Sequence, residues 1–77
     1  MSKYLRNDRL LRNVGVRLRN YRKKRGLTMM DVVDLSGIEY PQLSRIERGK
    51  INTSISHIAL LAKTLHIKLK ELFEGLD

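Results

Sequence analysis

Cysteine is absent from this 77-residue chain, proline occurs once, and acidic residues number 8 against 16 lysines and arginines. Without a thiol there is no disulfide framework and no cysteine-held zinc. A chain this short must then draw its stability from tight packing of one small core, with self-association as a further source. The two histidines, His57 and His66, stand apart from each other and from any converging acid pair, which makes them surface or boundary residues rather than metal ligands. No apolar run approaches the roughly 20 residues that a membrane-spanning helix requires. The amino terminus is arginine-rich rather than charged and then apolar, unlike a secretory signal. An intracellular, most simply cytoplasmic, protein is expected, with no membrane partner. No serine has a base beside it in the arrangement a nucleophile needs, no glycine-rich phosphate loop occurs, and no carboxylates cluster as a metal-dependent nuclease would need. The sequence supports no enzyme chemistry and calls for no cofactor or metal.

What is present is positive charge. The net charge is +8 and the sequence pI is near 10.3. The distribution is lopsided: from Met1 to Arg25 there are ten basic residues and a single acid, Asp8. A field of this sign attracts polyanions and supplies the sequence-independent part of nucleic-acid binding.

Helical periodicity runs from end to end, and sustained alternation of the strand type is missing. The spacing predicts a first helix from about Asp8, or even Tyr4, to Arg25, with Leu11, Val14, Leu18 and Tyr21 as its apolar stripe. Lys23, Lys24 and Arg25 occupy its last turn, where cations suit the helix dipole, and Gly26 ends it. A second helix is predicted over about Met29–Ser36 and a third over about Tyr40–Arg48. A loop follows at residues 50–54, then a fourth helix over about Ile55–Leu65 with Ile58, Leu61, Ala62 and Leu65 inward. His66, Ile67 and Lys68 break the pattern before a short fifth helix carrying Leu69, Leu72 and Phe73. The fold class is all-α: a compact five-helix, repressor-like domain spanning residues 1–77, with residues 1–8 a basic arm or helix extension.

The segment from Thr28 to Lys50 is the most informative. Thr28 is a cap residue for the second helix, whose inward face is Val32, Val33 and Leu35. Gly37 supplies the left-handed conformation that ends that helix in a sharp turn, and Ile38 plugs the turn. Pro41 suits the first turn of the third helix, where a missing N–H costs nothing. Leu43 and Ile46 anchor that helix and Gly49 closes it. Two short helices joined steeply through a glycine turn form the arrangement that lays one helix in a DNA major groove.

With these residues in place the chain resembles the helix-turn-helix family of phage repressors, Cro proteins and xenobiotic-response-element-type bacterial regulators. The resemblance covers about Val14 to Phe73. It rests on Gly15 and Arg22, the Arg-Gly-Leu-Thr junction at Arg25 to Thr28, the Leu-Ser-Arg-Ile-Glu-Arg-Gly-Lys run at Leu43 to Lys50, and Asn52 with the Ile58, Leu61, Ala62, Leu65 pattern. It implies that Arg22 pairs internally with Glu47. It also implies that Tyr40, Pro41 and Arg45 read base edges, with Gln42 and Ser44 near enough to add base or phosphate contacts. Arg48, Lys50 and Asn52 match the loop that grips the sugar-phosphate backbone, and Thr28 and Met29 match the backbone-facing start of the second helix. Three positions depart from the pattern. Met29 replaces a glutamine, Val33 replaces a small residue at the closest helix approach, and Glu39 replaces a Ser or Thr cap, although a carboxylate can also cap.

Arg45 is the foremost base-reading candidate, because a guanidinium can donate twice to guanine O6 and N7. Tyr40 either meets a base or phosphate or covers Ile38. The implied function is sequence-specific binding of double-stranded DNA by a transcriptional regulator, a repressor or autoregulator acting as a homodimer on a palindromic operator. Leu60, Leu69, Phe73 and Leu76 are the candidate self-association surface, or else ordinary core. The alternative is the antitoxin of a toxin–antitoxin pair that also binds its own promoter, and non-specific nucleic-acid compaction is a third possibility. No inducer site is legible.

Overall fold

The computed structural model describes residues 7–50 and 53–76. Asn7 opens α1 (Asp8–Lys24), its side-chain oxygen accepting the Leu10 N–H at 2.9 Å and so satisfying one of the unpaired donors of the first turn. A reciprocal capping box opens α2 (Met29–Ser36): the Thr28 hydroxyl accepts the Asp31 N–H at 3.0 Å while the Asp31 carboxylate accepts the Thr28 N–H at 2.8 Å. Gly37, with φ of 80°, ends the helix and donates its N–H to the Val33 carbonyl at 2.8 Å, as a left-handed C-terminal glycine does. The third helix, α3 (Tyr40–Glu47), has Glu39 at its N-cap but no side-chain cap bond. The carboxylate cap that the sequence allows does not form. Next come α4 (Ile55–Thr64), capped by Ser54, whose hydroxyl accepts the His57 N–H at 3.2 Å, and α5 (Leu69–Phe73). No strand occurs among the described residues, and none of their helices is long and apolar enough to cross a membrane.

All five helices and the α2–α3 turn feed one core. Leu18, Val32, Leu43, Leu61, Leu65 and Leu72 are almost wholly buried, joined by Val14, Ile38, Ile46, Ile58, Ala62 and Ile67. Each fully buried Leu or Ile side chain stabilises the fold by about 1.5–3 kcal/mol relative to exposure. Three details differ from the periodicity reading. The α1 stripe continues toward its start through Leu10, which packs on the core, while Leu11 lines a surface groove beside it. Leu35 is not inward but 65% exposed. Three residues on from Val32 a helix has turned back by about 60°, away from Met29 and Val33, which do pack on the core. Ile67, in the segment that breaks the helical pattern, is buried at 7%. It reaches the core because His66 adopts the left-handed conformation at φ 57° and redirects the chain. Of the four candidate self-association residues, Phe73 and Leu76 pack on the core, while Leu60 and Leu69 are exposed at 37% and 39%.

Two glycines hold α3 against α1. A Cβ on Gly15 would lie 2.5 Å from the Ile46 carbonyl oxygen and 2.6 Å from that of Glu47. A Cβ on Gly49 would lie 2.7 Å from the Arg12 Cα, and φ there is +66°. Glycine is required at both positions, since backbone cannot yield as a flexible side chain can. Three guanidiniums, two on α1 and one at its C-cap, act as internal staples. Arg17 donates to the Glu71 and Leu72 carbonyls, both at 3.2 Å, at the end of α5. Arg25 donates to Leu65 and His66 carbonyls at 2.8 and 3.2 Å at the end of α4, and Arg22 reaches α3. Cations at helix C-termini satisfy orphan carbonyls and oppose the negative dipole end.

Candidate nucleic-acid interface

The anchored side of α3 determines what its other side can present. Leu43, Ile46 and Glu47 are buried. Tyr40, Pro41 and Arg45 are exposed, Tyr40 at 46%, and Gln42 and Ser44 are half-buried at the edges of the same face. Arg45 is exposed, and no protein hydrogen-bond partner of its side chain, which carries five N–H donors, occurs among the described residues.

Glu47 faces the opposite way. Arg22 Nε donates to its Oε2 at 2.8 Å and Arg22 Nη2 to its Oε1 at 3.0 Å, and Arg22 Nη1 donates to the Leu27 carbonyl at 2.9 Å. Both residues are only 8% exposed. Charge-assisted bidentate pairing of this kind is strong and geometrically specific. It raises the Arg22 pKa above the ordinary arginine value, first through the Glu47 hydrogen bond and against the opposing effect of burial.

Gln42 is held from outside α3. Its Nε2 lies 3.3 Å from His57 Nδ1, which is also 3.4 Å from Thr53 Oγ1. An amide NH₂ can only donate, so this contact is a hydrogen bond in the tautomer that leaves Nδ1 without a proton. Nothing local in the sequence signals this contact across fifteen positions.

The turn after α3 is tightly wound. The Arg48 N–H and Nε both donate to the Ser44 carbonyl, at 3.1 and 3.3 Å, and the Lys50 N–H donates to the Arg45 carbonyl at 2.9 Å. Arg48 and Lys50 are exposed, and with Asp8, Arg12 and Gly49 they line a depression of about 340 Å³. Thr28 spends its hydroxyl on the α2 cap. Met29 packs on the core and lines a second depression between α1 and α3. Asn52 lies outside the described residues. The structure therefore places Tyr40, Pro41, Arg45, Arg48 and Lys50 outward along α3 and its end, with Gln42 and Ser44 at the margin and Met29 largely inward.

A helix-turn-helix family model matches residues 18–72. The regulator DdrOP3 of Deinococcus deserti is 39% identical over 61 residues, covering 79% of this chain and 47% of its own length. The chain spans less than half the length of the regulators DdrOP3 and SlrR that it matches. Among solved structures, the restriction-modification controller protein C.AhdI of Aeromonas hydrophila superposes with a TM-score of 0.79 at 36% identity, covering 87% of this chain and 100% of that one. The controller C.Esp1396I, solved as a tetramer with its natural 35 base-pair operator, superposes with a TM-score of 0.77 at 29% identity, covering 84% of this chain and 86% of that one. These relatives are regulators rather than enzymes, and the chain belongs to the helix-turn-helix family of DNA-binding transcriptional regulators.

Proposed function

We propose that this chain is a sequence-specific regulator, a repressor or autoregulator, that binds a palindromic operator as a homodimer in the cytoplasm. The observation that carries the reading is the division of α3. Leu43, Ile46 and Glu47 fix it to the body while Tyr40, Pro41 and Arg45 stand clear on the other side. In the major groove Arg45 would donate to guanine O6 and N7, with Tyr40, Pro41, Gln42 and Ser44 flanking it. Thr28, Met29, Arg48, Lys50 and Asn52 would lie along the phosphates and set the register without specifying sequence.

A second copy supplies what one α3 lacks. A helix of eight residues offers few base contacts, and a linked second helix raises avidity without any new kind of contact. Leu35, Leu60 and Leu69 are exposed apolar side chains, and Leu35 and Leu60 share one surface depression with Lys63, Thr64 and His66. The operator-bound assembly of C.Esp1396I supports the multimeric reading. Selection of bound duplexes from a random pool, with sedimentation of the free and bound chain, tests the proposal. It expects a two-fold symmetric consensus with half-sites about one helical turn apart and two chains per duplex. An asymmetric consensus bound by one chain would overturn the homodimer.

A further inference from the structure

The arginines of α1 and its C-cap are not equivalent. Arg17, Arg22 and Arg25 are committed to internal staples. Arg12 and Arg19 are exposed and have no protein hydrogen-bond partner among the described residues. Arg12, Gly15, Arg19 and Arg22 recur at intervals of three and four, which sets them on one face of α1. That is the face Gly15 and Gly49 press against α3. Arg19 accordingly stands beside α3, over a notch of about 240 Å³ lined by Arg19, Arg22, Met29, Ser44, Glu47 and Arg48.

The notch has the chemistry of an anion seat. Both oxygens of its single carboxylate, Glu47, are occupied by Arg22, which cancels that charge locally. Arg22 spends three of its five N–H donors on Glu47 and Leu27, leaving two. Arg48, which also lines the notch, is braced through Nε on the Ser44 carbonyl at 3.3 Å. The net charge is therefore that of Arg19, on α1, and Arg48, at the end of α3, and Ser44 lines the same notch. A tetrahedral oxyanion fits the space, the charge and the donor arrangement.

We infer that Arg19 and Arg48 clamp one backbone phosphate of the DNA in this notch, making Arg19 the α1 residue that sets the height of α3 in the groove. The inference rests on the DNA-binding reading above. It assigns a positioning role to a residue outside the helix-turn-helix, while Arg17 and Arg25, of equal charge, take no part because their guanidiniums are held on the α5 and α4 carbonyls and do not line the notch.

The test is the salt dependence of binding by the full chain, measured on the selected duplex and on a random duplex. Each neutralised phosphate contributes about −0.9 to the slope of log affinity against log salt. Arg19→Gln, which leaves Arg48 on the phosphate, is expected to make the slope shallower by up to about 0.9, so that the advantage of the unaltered chain is up to about 3.5-fold smaller at 200 mM than at 50 mM salt. The loss should be equal on both duplexes, and Arg19→Lys should keep the slope. Lys24→Gln removes the same charge from the other side of α1, beside Arg17, Asn20 and Tyr21, and should leave the slope unchanged. An unaltered slope in Arg19→Gln, an equal change in Lys24→Gln, or a loss confined to the selected duplex would overturn the clamp while leaving DNA binding standing. Failure of the unaltered chain to bind either duplex would overturn the DNA-binding reading itself.

Discussion

Arg22 and Glu47 meet through two parallel hydrogen bonds of 2.8 and 3.0 Å and tie α1 to α3 across twenty-five positions of sequence. Removing one partner strands a charge in a site that is only 8% exposed. For pairs of this kind the loss is about 3–5 kcal/mol. The lower end applies here, because the pair lines an open notch rather than the apolar core. Glu47→Ala should lose about 3 kcal/mol of unfolding free energy, and a double-mutant cycle with Arg22→Ala should show clear coupling. Additive losses would mean that the two residues act separately.

Gly15 sets how close the two helices come. Alanine normally stabilises a helix interior by about 1 kcal/mol over glycine, but here its Cβ would sit 2.5 Å from a carbonyl oxygen. Overpacking against backbone costs about 1–3 kcal/mol, so the steric effect wins and Gly15→Ala should lower the urea midpoint with little change in slope. A raised midpoint would contradict the close approach.

Asp31 links the α2 cap to pH. The Thr28 N–H, then the Thr28 hydroxyl, hold its carboxyl below the ordinary value near 3.8. A depressed carboxylate pKa gives stability that is present above the unfolded-state value and lost as pH falls through the folded-state value. Asp31→Asn should therefore destabilise the protein at neutral pH and make its stability less sensitive to acid below about pH 4. Parallel acid-unfolding curves for the two proteins would show that Asp31 does not contribute.

Much of this architecture is legible in the sequence because its signals are local. Thr28 caps α2, Gly37 turns the chain, Ile38 fills the turn, and residues spaced by three and four mark the buried faces. Leu35 misleads because an eight-residue helix contains too few turns for apolar spacing to fix the centre of its buried face. Ile67 is hidden because its burial depends on the left-handed backbone at His66, a conformation no residue type there announces. The staples from Arg17 and Arg25 reach carbonyls 40 to 55 positions away, so ten basic residues near the amino terminus read as one charged cluster when three guanidiniums are structural. At the candidate site, the exposed side of α3 follows from Leu43 and Ile46. The contact of Gln42 with His57 does not, because it depends on where α4 packs.

The central claim is that the outward face of α3 reads sequence, and Arg45 tests it most directly. Affinity of Arg45→Ala should be measured beside that of the unaltered chain, on the selected duplex and on random DNA at one salt concentration. The account predicts a loss of about 1–3 kcal/mol on the selected duplex, a smaller loss on random DNA, and relaxed preference at one base pair in each half-site. Equal losses on the two duplexes, with base preference intact, would contradict it and place Arg45 on the phosphates.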